Sequence, residues 1–170
     1  PRLSDNGQTL YYLTGDAKAI IRYDITSKKE TEIFRSDSAI YYIAFSPDLK
    51  EMVFRYWFHN PNELWQLSLE GGDPKLLIAL DADERVRFPV WTPDGKYVLF
   101  PTMNSEKLYR VSMDGEKDLL ECQVDMKNRR YPQVHSDGKR IAFTQLRGNY
   151  QEVWAIENFL PVKKDPGSIR

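Results

Sequence analysis

An all-β fold of repeated four-stranded antiparallel units is predicted by two marker series that run the length of the chain with one period. The first series is a hairpin, clearest at Phe88-Pro89-Val90-Trp91-Thr92-Pro93-Asp94-Gly95-Lys96-Tyr97-Val98-Leu99-Phe100. A short apolar run leads into turn chemistry and out into a second β-rich run. Pro93 pre-sets the backbone at the first central turn position, Asp94 can accept hydrogen bonds from nearby amides, and Gly95 suits a left-handed conformation. The hairpin returns at Ala44-Phe45-Ser46-Pro47-Asp48, at Tyr131-Pro132-Gln133-Val134-His135-Ser136-Asp137-Gly138, and at Pro1-Arg2-Leu3-Ser4-Asp5-Asn6-Gly7. Its closing aromatics Tyr12, Phe54, Phe100 and Phe143 are spaced by 42, 46 and 43 residues. The second series is a strand beginning at Ile21, Trp65, Tyr109 and Trp154, with spacings of 44, 44 and 45 residues.

The remaining elements follow from these markers. After each of the first three second-series strands comes a polar turn, as in Glu70-Gly71-Gly72-Asp73-Pro74 and Asp114-Gly115-Glu116-Lys117. Each turn leads into a fourth short run, at Thr31 to Arg35, Lys75 to Ala79 and Asp118 to Cys122. Four short strands in about 40–45 residues is the size of a propeller blade. No stretch of useful length has helical periodicity. The sequence therefore predicts a β-propeller of about four blades, at 1–36, 37–80, 81–123 and 124–161, the last lacking its outer strand, followed by a polar tail at 162–170.

The order strand, Ser/Thr-Pro-Asp-Gly-Lys, strand, then an aromatic-x-aliphatic strand, an Asp-Gly turn and a last strand resembles the WD40-like β-propeller repeat of TolB-type proteins. The resemblance covers essentially all of residues 1–161 and is strongest at Pro93-Asp94-Gly95-Lys96 and Ser136-Asp137-Gly138-Lys139. Blade 2 departs from it, with Leu49 where the others carry Gly, and in blade 1 Asn6-Gly7 carries the turn. Leu49 is expected either to occupy the left-handed region under strain or to change the turn type. The ending Val153 to Pro161 resembles the final strand of such propellers, so the chain is expected to be a C-terminal portion of a larger bacterial protein. The resemblance implies a non-enzymatic platform that binds a protein or peptide, a sensory or docking module of that larger protein.

Composition sets further bounds. At 170 residues, 41% hydrophobic and 13% aromatic, the chain suits a globular β protein. A net charge of −1 argues against a general nucleic-acid footprint, and no apolar run is long enough to insert into a membrane. The single Cys122 forbids an internal disulfide and is expected to be a buried thiol. No targeting signal is visible, which leaves bacterial periplasm or cytoplasm open; the chain begins at Pro1 without Met, so a cleaved leader is compatible with it. The first unit starts at its innermost strand and the fourth stops after its third. Three closures are compatible with that count: missing N-terminal blades of a six- or seven-bladed ring, a four-bladed ring, or two copies closing an eight-bladed ring.

Propeller geometry places the Pro-Asp-Gly and Asp-Gly turns on one face, and the loops between second and third strands on the other, with the blade-to-blade connections around the channel mouth. Candidate partner-binding residues belong to this loop face, because repeated tight turns are scaffold. Arg87 and Arg130 occupy one repeat position, where blade 2 has Tyr41; with Arg129 and Lys127 nearby they either attract an acidic partner or pair with a neighbouring blade's carboxylates. Trp57, Phe58 and His59 form the most distinctive loop, suited to anchor a peptide or else to cap the blade 2 core. Tyr150, in the blade 4 loop expected at Arg147-Gly148-Asn149-Tyr150-Gln151, is a weaker instance of the same idea.

Catalytic and metal chemistry find little support. There is no Gly-x-Ser-x-Gly elbow and only two histidines. His135 fills the slot that Thr92 fills in blade 3 and reads as structural. Asp81-Ala82-Asp83-Glu84 superficially resembles a calcium loop but lacks its regular ligands and Gly, and reads as a solvated connection. No zinc spacing or phosphate loop occurs, so no cofactor is expected. Two other functions stay open: an accessory propeller gating a prolyl-oligopeptidase- or tricorn-like serine peptidase whose catalytic domain lies outside this chain, and a small-ligand or glycan-binding propeller.

Overall fold

In a computed structural model of the chain, residues 1–57, 60–102, 107–120, 129–147 and 149–157 are described. They form only β-strands, turns and connections. Blade 1 contains β1 (Arg2–Leu3), β2 (Thr9–Leu13), β3 (Ala19–Asp24) and β4 (Lys29–Arg35). Blade 2 contains β5 (Ile40–Phe45), β6 (Glu51–Tyr56), β7 (Glu63–Ser68) and β8 (Lys75–Ala79). Blade 3 contains β9 (Val90–Trp91), β10 (Tyr97–Pro101), β11 (Leu108–Ser112) and β12 (Lys117–Leu120). Blade 4 contains β13 (Arg129–Val134), β14 (Arg140–Arg147) and β15 (Tyr150–Glu157). Each sheet follows chain order with antiparallel pairing throughout. Among the described residues blade 4 has three strands. One expectation shifts: β14 and β15 take in Arg147, Tyr150 and Gln151, which the sequence assigns to a loop, because their backbones continue the ladder to the pair Arg147–Tyr150.

The recurrent turn explains why Ser or Thr precedes Pro-Asp-Gly. In blade 3 the Gly95 amide donates to the Thr92 carbonyl at 2.9 Å, closing the tight turn. The Thr92 hydroxyl donates to the Asp94 carboxylate at 2.6 Å and accepts the Tyr97 amide at 3.1 Å, while Asp94 also accepts the Lys96 amide at 3.1 Å. Ser46 with Asp48, and Ser4 with Asn6, repeat the pattern. In blade 4 His135 stands in for the hydroxyl, its Nδ1 accepting the Asp137 amide at 3.2 Å. The fourth turn residue is left-handed every time, with φ of 69° at Gly7, 68° at Gly95 and Gly138, and 57° at Leu49. Leu49 thus keeps the turn type and takes the strain.

Strand alternation sends successive side chains to opposite neighbours, so the cores lie between blades. In β6, Met52 and Phe54 pack towards Tyr11 and Ile20 of blade 1, and Val53 packs towards blade 3. In β10, Val98 and Phe100 face blade 2 whereas Leu99 faces Ile141 and Phe143 of blade 4. Burying one such aliphatic or aromatic side chain stabilises by roughly 1.5–3 kcal/mol. The three cores join blades 1 and 2, 2 and 3, and 3 and 4; the sheets do not close into a ring, so a four-bladed ring is not the arrangement found. Val153 on the outer side of blade 4 is 77% exposed.

Glu84 corrects one expectation. It is buried, not solvated, and its carboxylate accepts the Tyr109 hydroxyl at 3.0 Å and the Lys107 ammonium at 3.0 Å. It ties the connection into blade 3 rather than facing water. Among the described residues no group of three or more acidic, His or Cys side chains could hold a metal.

Candidate functional site

Tyr42 in β5, Phe88 two residues before β9 and Tyr131 in β13 are aromatic residues in the left-handed region, at φ 50°, 43° and 52°. Register shifts accompany them, between Tyr41 and Ala44 in β5 and between Arg130 and Gln133 in β13. A non-glycine residue in this conformation costs about 1–3 kcal/mol and persists only where surroundings impose it. Phe88 and Tyr131 also precede prolines, a context that favours extended backbone. The repeated bulge aims one ring from each blade at its neighbour. Tyr42 meets Phe88 edge-on with centroids 4.8 Å apart, and Phe88 meets Tyr131 at 4.5 Å. An aromatic row therefore crosses three blades where the inner strands converge.

Arginines flank this row on the loop face. The Arg87 guanidinium lies 5.0 Å from the Phe88 ring and 5.9 Å from Tyr42, and its Nε donates to the Tyr42 hydroxyl at 3.4 Å. Arg55, at the end of β6, lies 4.8 Å over Tyr42 and 5.9 Å from Trp57. Such cation–π contacts contribute about 0.5–2 kcal/mol depending on exposure. Arg55 is only 6% exposed. Its Nη1 donates to the Pro61 carbonyl at 3.4 Å, and its buried Nε has no hydrogen-bond partner. Burial pushes its pKa below the ordinary arginine value, Tyr42 acts the other way, and the charges of Arg85 and Arg87 add smaller downward contributions. Beside it Tyr41 and Trp57, each 39% exposed, lie with ring centroids 4.1 Å apart.

The predicted residues divide accordingly. Tyr41, Trp57 and Arg87 come together around Arg55 and the aromatic row. Arg130 stands at the entry of β13, half-buried, its carbonyl accepting the Thr144 hydroxyl at 3.2 Å. Tyr150 is 77% exposed at the start of β15. Arg129 lies in β13, where only its backbone is described; Phe58, His59, Lys127 and Cys122 lie outside the described residues. The alternative in which Arg87 pairs with a neighbouring blade's carboxylate is not what is found among the described residues, where it meets aromatic rings and a hydroxyl. Sequence reasoning missed Arg55, though a signal was present: the equivalent positions after the closing aromatics are Leu13, Pro101 and Thr144, none of them charged.

On the turn side of the channel the inner strands enclose a cavity of about 600 Å³, lined by Arg2, Phe45, Trp91, Pro93, Gln133 and others. The face expected to be plain scaffold thus has a recess of its own.

No protein-family model matches the chain, and no curated protein matches it in sequence. Its fold is that of a TolB-like, WD40-like β-propeller. TolB from Acinetobacter baumannii superposes with a TM-score of 0.67 at 21% identity, over 92% of this chain and 40% of that one. An oligogalacturonate lyase in complex with manganese matches at 0.66 and 14% identity, over 91% and 49%. The Cps50 (Swd1) β-propeller domain of Myceliophteria thermophila matches at 0.68 and 13% identity, over 99% and 55%. The chain thus spans about 40 to 55% of the length of these structures.

Proposed function

We propose that this chain is a non-catalytic docking module, part of a larger protein, which binds a protein or peptide partner on its loop face. The observation that carries the reading is the exposed Tyr41–Trp57 pair, 4.1 Å apart and set beside the Arg87-flanked aromatic row. Rigid aromatics with an adjacent arginine are the residue types that concentrate binding energy at protein interfaces. The pair is presented by β5 and by the residue following β6, on the backbone of a packed blade. The fold is compatible with many activities, and function is carried by the site. Tyr150, and Arg130 at the entry of β13, would extend the same surface towards blade 4.

Binding of the purified chain to an array of random decapeptides tests this. Wild-type protein should select a reproducible subset, Tyr41→Ala and Trp57→Ala should each weaken selected peptides by at least tenfold, and Lys96→Ala on the turn face should change nothing. Selection that survives both aromatic replacements would overturn the assignment of the face.

A further inference from the structure

The strongest anomaly in the molecule is a buried, permanently charged side chain with no counter-ion. Arg55 is 6% exposed, and among the described residues no carboxylate forms an ion pair with it, with Arg85 or with Arg87. The nearby acid Glu84 is taken by Tyr109 and Lys107. A buried guanidinium is ordinarily paired, because desolvating it without an opposite charge is unfavourable, and an uncompensated one is a known source of instability. Here two further arginines add repulsion rather than relief. Packing over Tyr42 offsets part of this through the ring quadrupole, but a ring supplies no acceptor for the unpartnered Nε. The other blades place uncharged residues at this position, so the fold itself does not demand an arginine.

We propose that Arg55, with Arg87, forms a carboxylate subsite at the seam of blades 2 and 3, and that its occupant is an acidic side chain of a peptide bound on the loop face. This deepens the docking reading and rests on it. The chemistry selects the class. Planar guanidinium groups match a carboxylate in shape and charge. The surroundings select the source: Tyr41, Tyr42 and Trp57 form aromatic walls beside the arginines, which a peptide engages with its apolar side chains while its acid reaches the cation. A free inorganic anion would leave those rings unused. The whole chain has a net charge of −1, so the cationic seam is a local feature and not a general basic surface. Occupation neutralises the seam, so affinity gained on binding is stability forgone in the free chain.

The test uses fluorescence anisotropy with decapeptides containing one Glu among Leu and Phe, each paired with its Gln counterpart. The inference expects Glu peptides to bind at least tenfold more tightly than their Gln counterparts, and Arg55→Met to abolish that ratio. It also expects Arg55→Met to match or exceed wild-type thermal stability, since a buried unpaired charge is removed. Arg87→Gln is the second variant, independent of any refolding around position 55, and should lower the Glu/Gln ratio. Equal binding of Glu and Gln peptides that still depends on Trp57 overturns the carboxylate subsite and leaves the docking reading standing. A ratio unchanged in Arg55→Met overturns the subsite in the same way. Binding of inorganic phosphate or a tri-uronate at Arg55 with no peptide binding overturns the peptide occupant, and the absence of all peptide binding overturns the docking reading as well.

Discussion

Replacing Gly115 by Ala should be among the most damaging single-methyl additions in this protein, and Gly95→Ala supplies its control. Both glycines have positive φ, 89° and 68°. Forcing Ala into this region costs about 1–2 kcal/mol. Part of that is returned, about 0.4–1 kcal/mol, because Ala also narrows the unfolded ensemble. At Gly95 nothing more is added, since a Cβ would lie 3.8 Å from Pro47 Cδ, an ordinary contact. At Gly115 the same atom would stand 2.8 Å from the Leu77 carbonyl oxygen. That oxygen belongs to the backbone of β8 in the adjacent blade and cannot swing aside as a side chain would. Relief requires shifting β8 away from the turn, which disturbs the core that Leu77 and Ile78 share with blade 3. Overpacking of this kind typically costs about 1–3 kcal/mol. Gly95→Ala is therefore expected near 1 kcal/mol and Gly115→Ala near 2–4 kcal/mol. With a urea slope of about 2 kcal/mol/M the midpoints should differ by about 0.5–1.5 M. Urea denaturation of the chain followed by tryptophan fluorescence measures this directly. Midpoints within about 0.3 M of each other would refute the claim that the Asp-Gly turn of blade 3 is pressed against blade 2.

Acid should destabilise the protein in a narrow window. Asp137 is held at about 2 by the Lys139 amide, with further help from Arg140 and His135; burial works against the shift. Asp16, Asp48 and Asp114 are lowered mainly by their hydroxyl partners, while at Asp94 the Thr92 and Lys96 hydrogen bonds outweigh an opposing burial effect. Depressed folded pKa values mean that the unfolded chain binds more protons as pH drops, so this stability is complete above about pH 4 and lost towards pH 2. A urea midpoint that does not fall between pH 4.5 and 2.5 contradicts the turn geometry. Leu99→Ala, at a fully buried site between blades 3 and 4, should cost about 2–5 kcal/mol. Val153→Ala, on the open side of blade 4, should stay within about 0.5 kcal/mol; a cost above 1 kcal/mol in calorimetry would mean that this face is covered in solution.

The blades were legible because two marker series and the turn chemistry repeat, so each copy corroborates the others. Strand ends were less so: β14 and β15 run on through Arg147 and Tyr150, where backbone pairing continues past residues that look like a loop. The left-handed backbone of Tyr42, Phe88 and Tyr131 was not legible. Aromatic residues disfavour that region, and at Phe88 and Tyr131 a following proline disfavours it again, so every local rule points to extended strand; the packing of neighbouring blades overrides it. Tyr41 and Arg87 were legible from their place in the repeat, and Trp57 from its aromatic loop. Arg55 was hidden inside a strand beside a closing aromatic, where a charge is read as pointing to solvent. Comparing each repeat position across blades, rather than scanning loops alone, brings it out.

The placement of every core between two blades, and none within one, has a consequence for cooperativity. A blade here has little stability of its own; it is held by terms it shares with its neighbours, as in a one-dimensional array of coupled units. Blades 2 and 3 are each coupled on both sides, whereas blades 1 and 4 each have one coupling among the described residues. In this chain studied by itself, opening should therefore proceed inward from blades 1 and 4, and amide hydrogens should be best protected in β6 and β10. The seam that carries Arg55 lies between those two strands, in the part of the molecule that opens last.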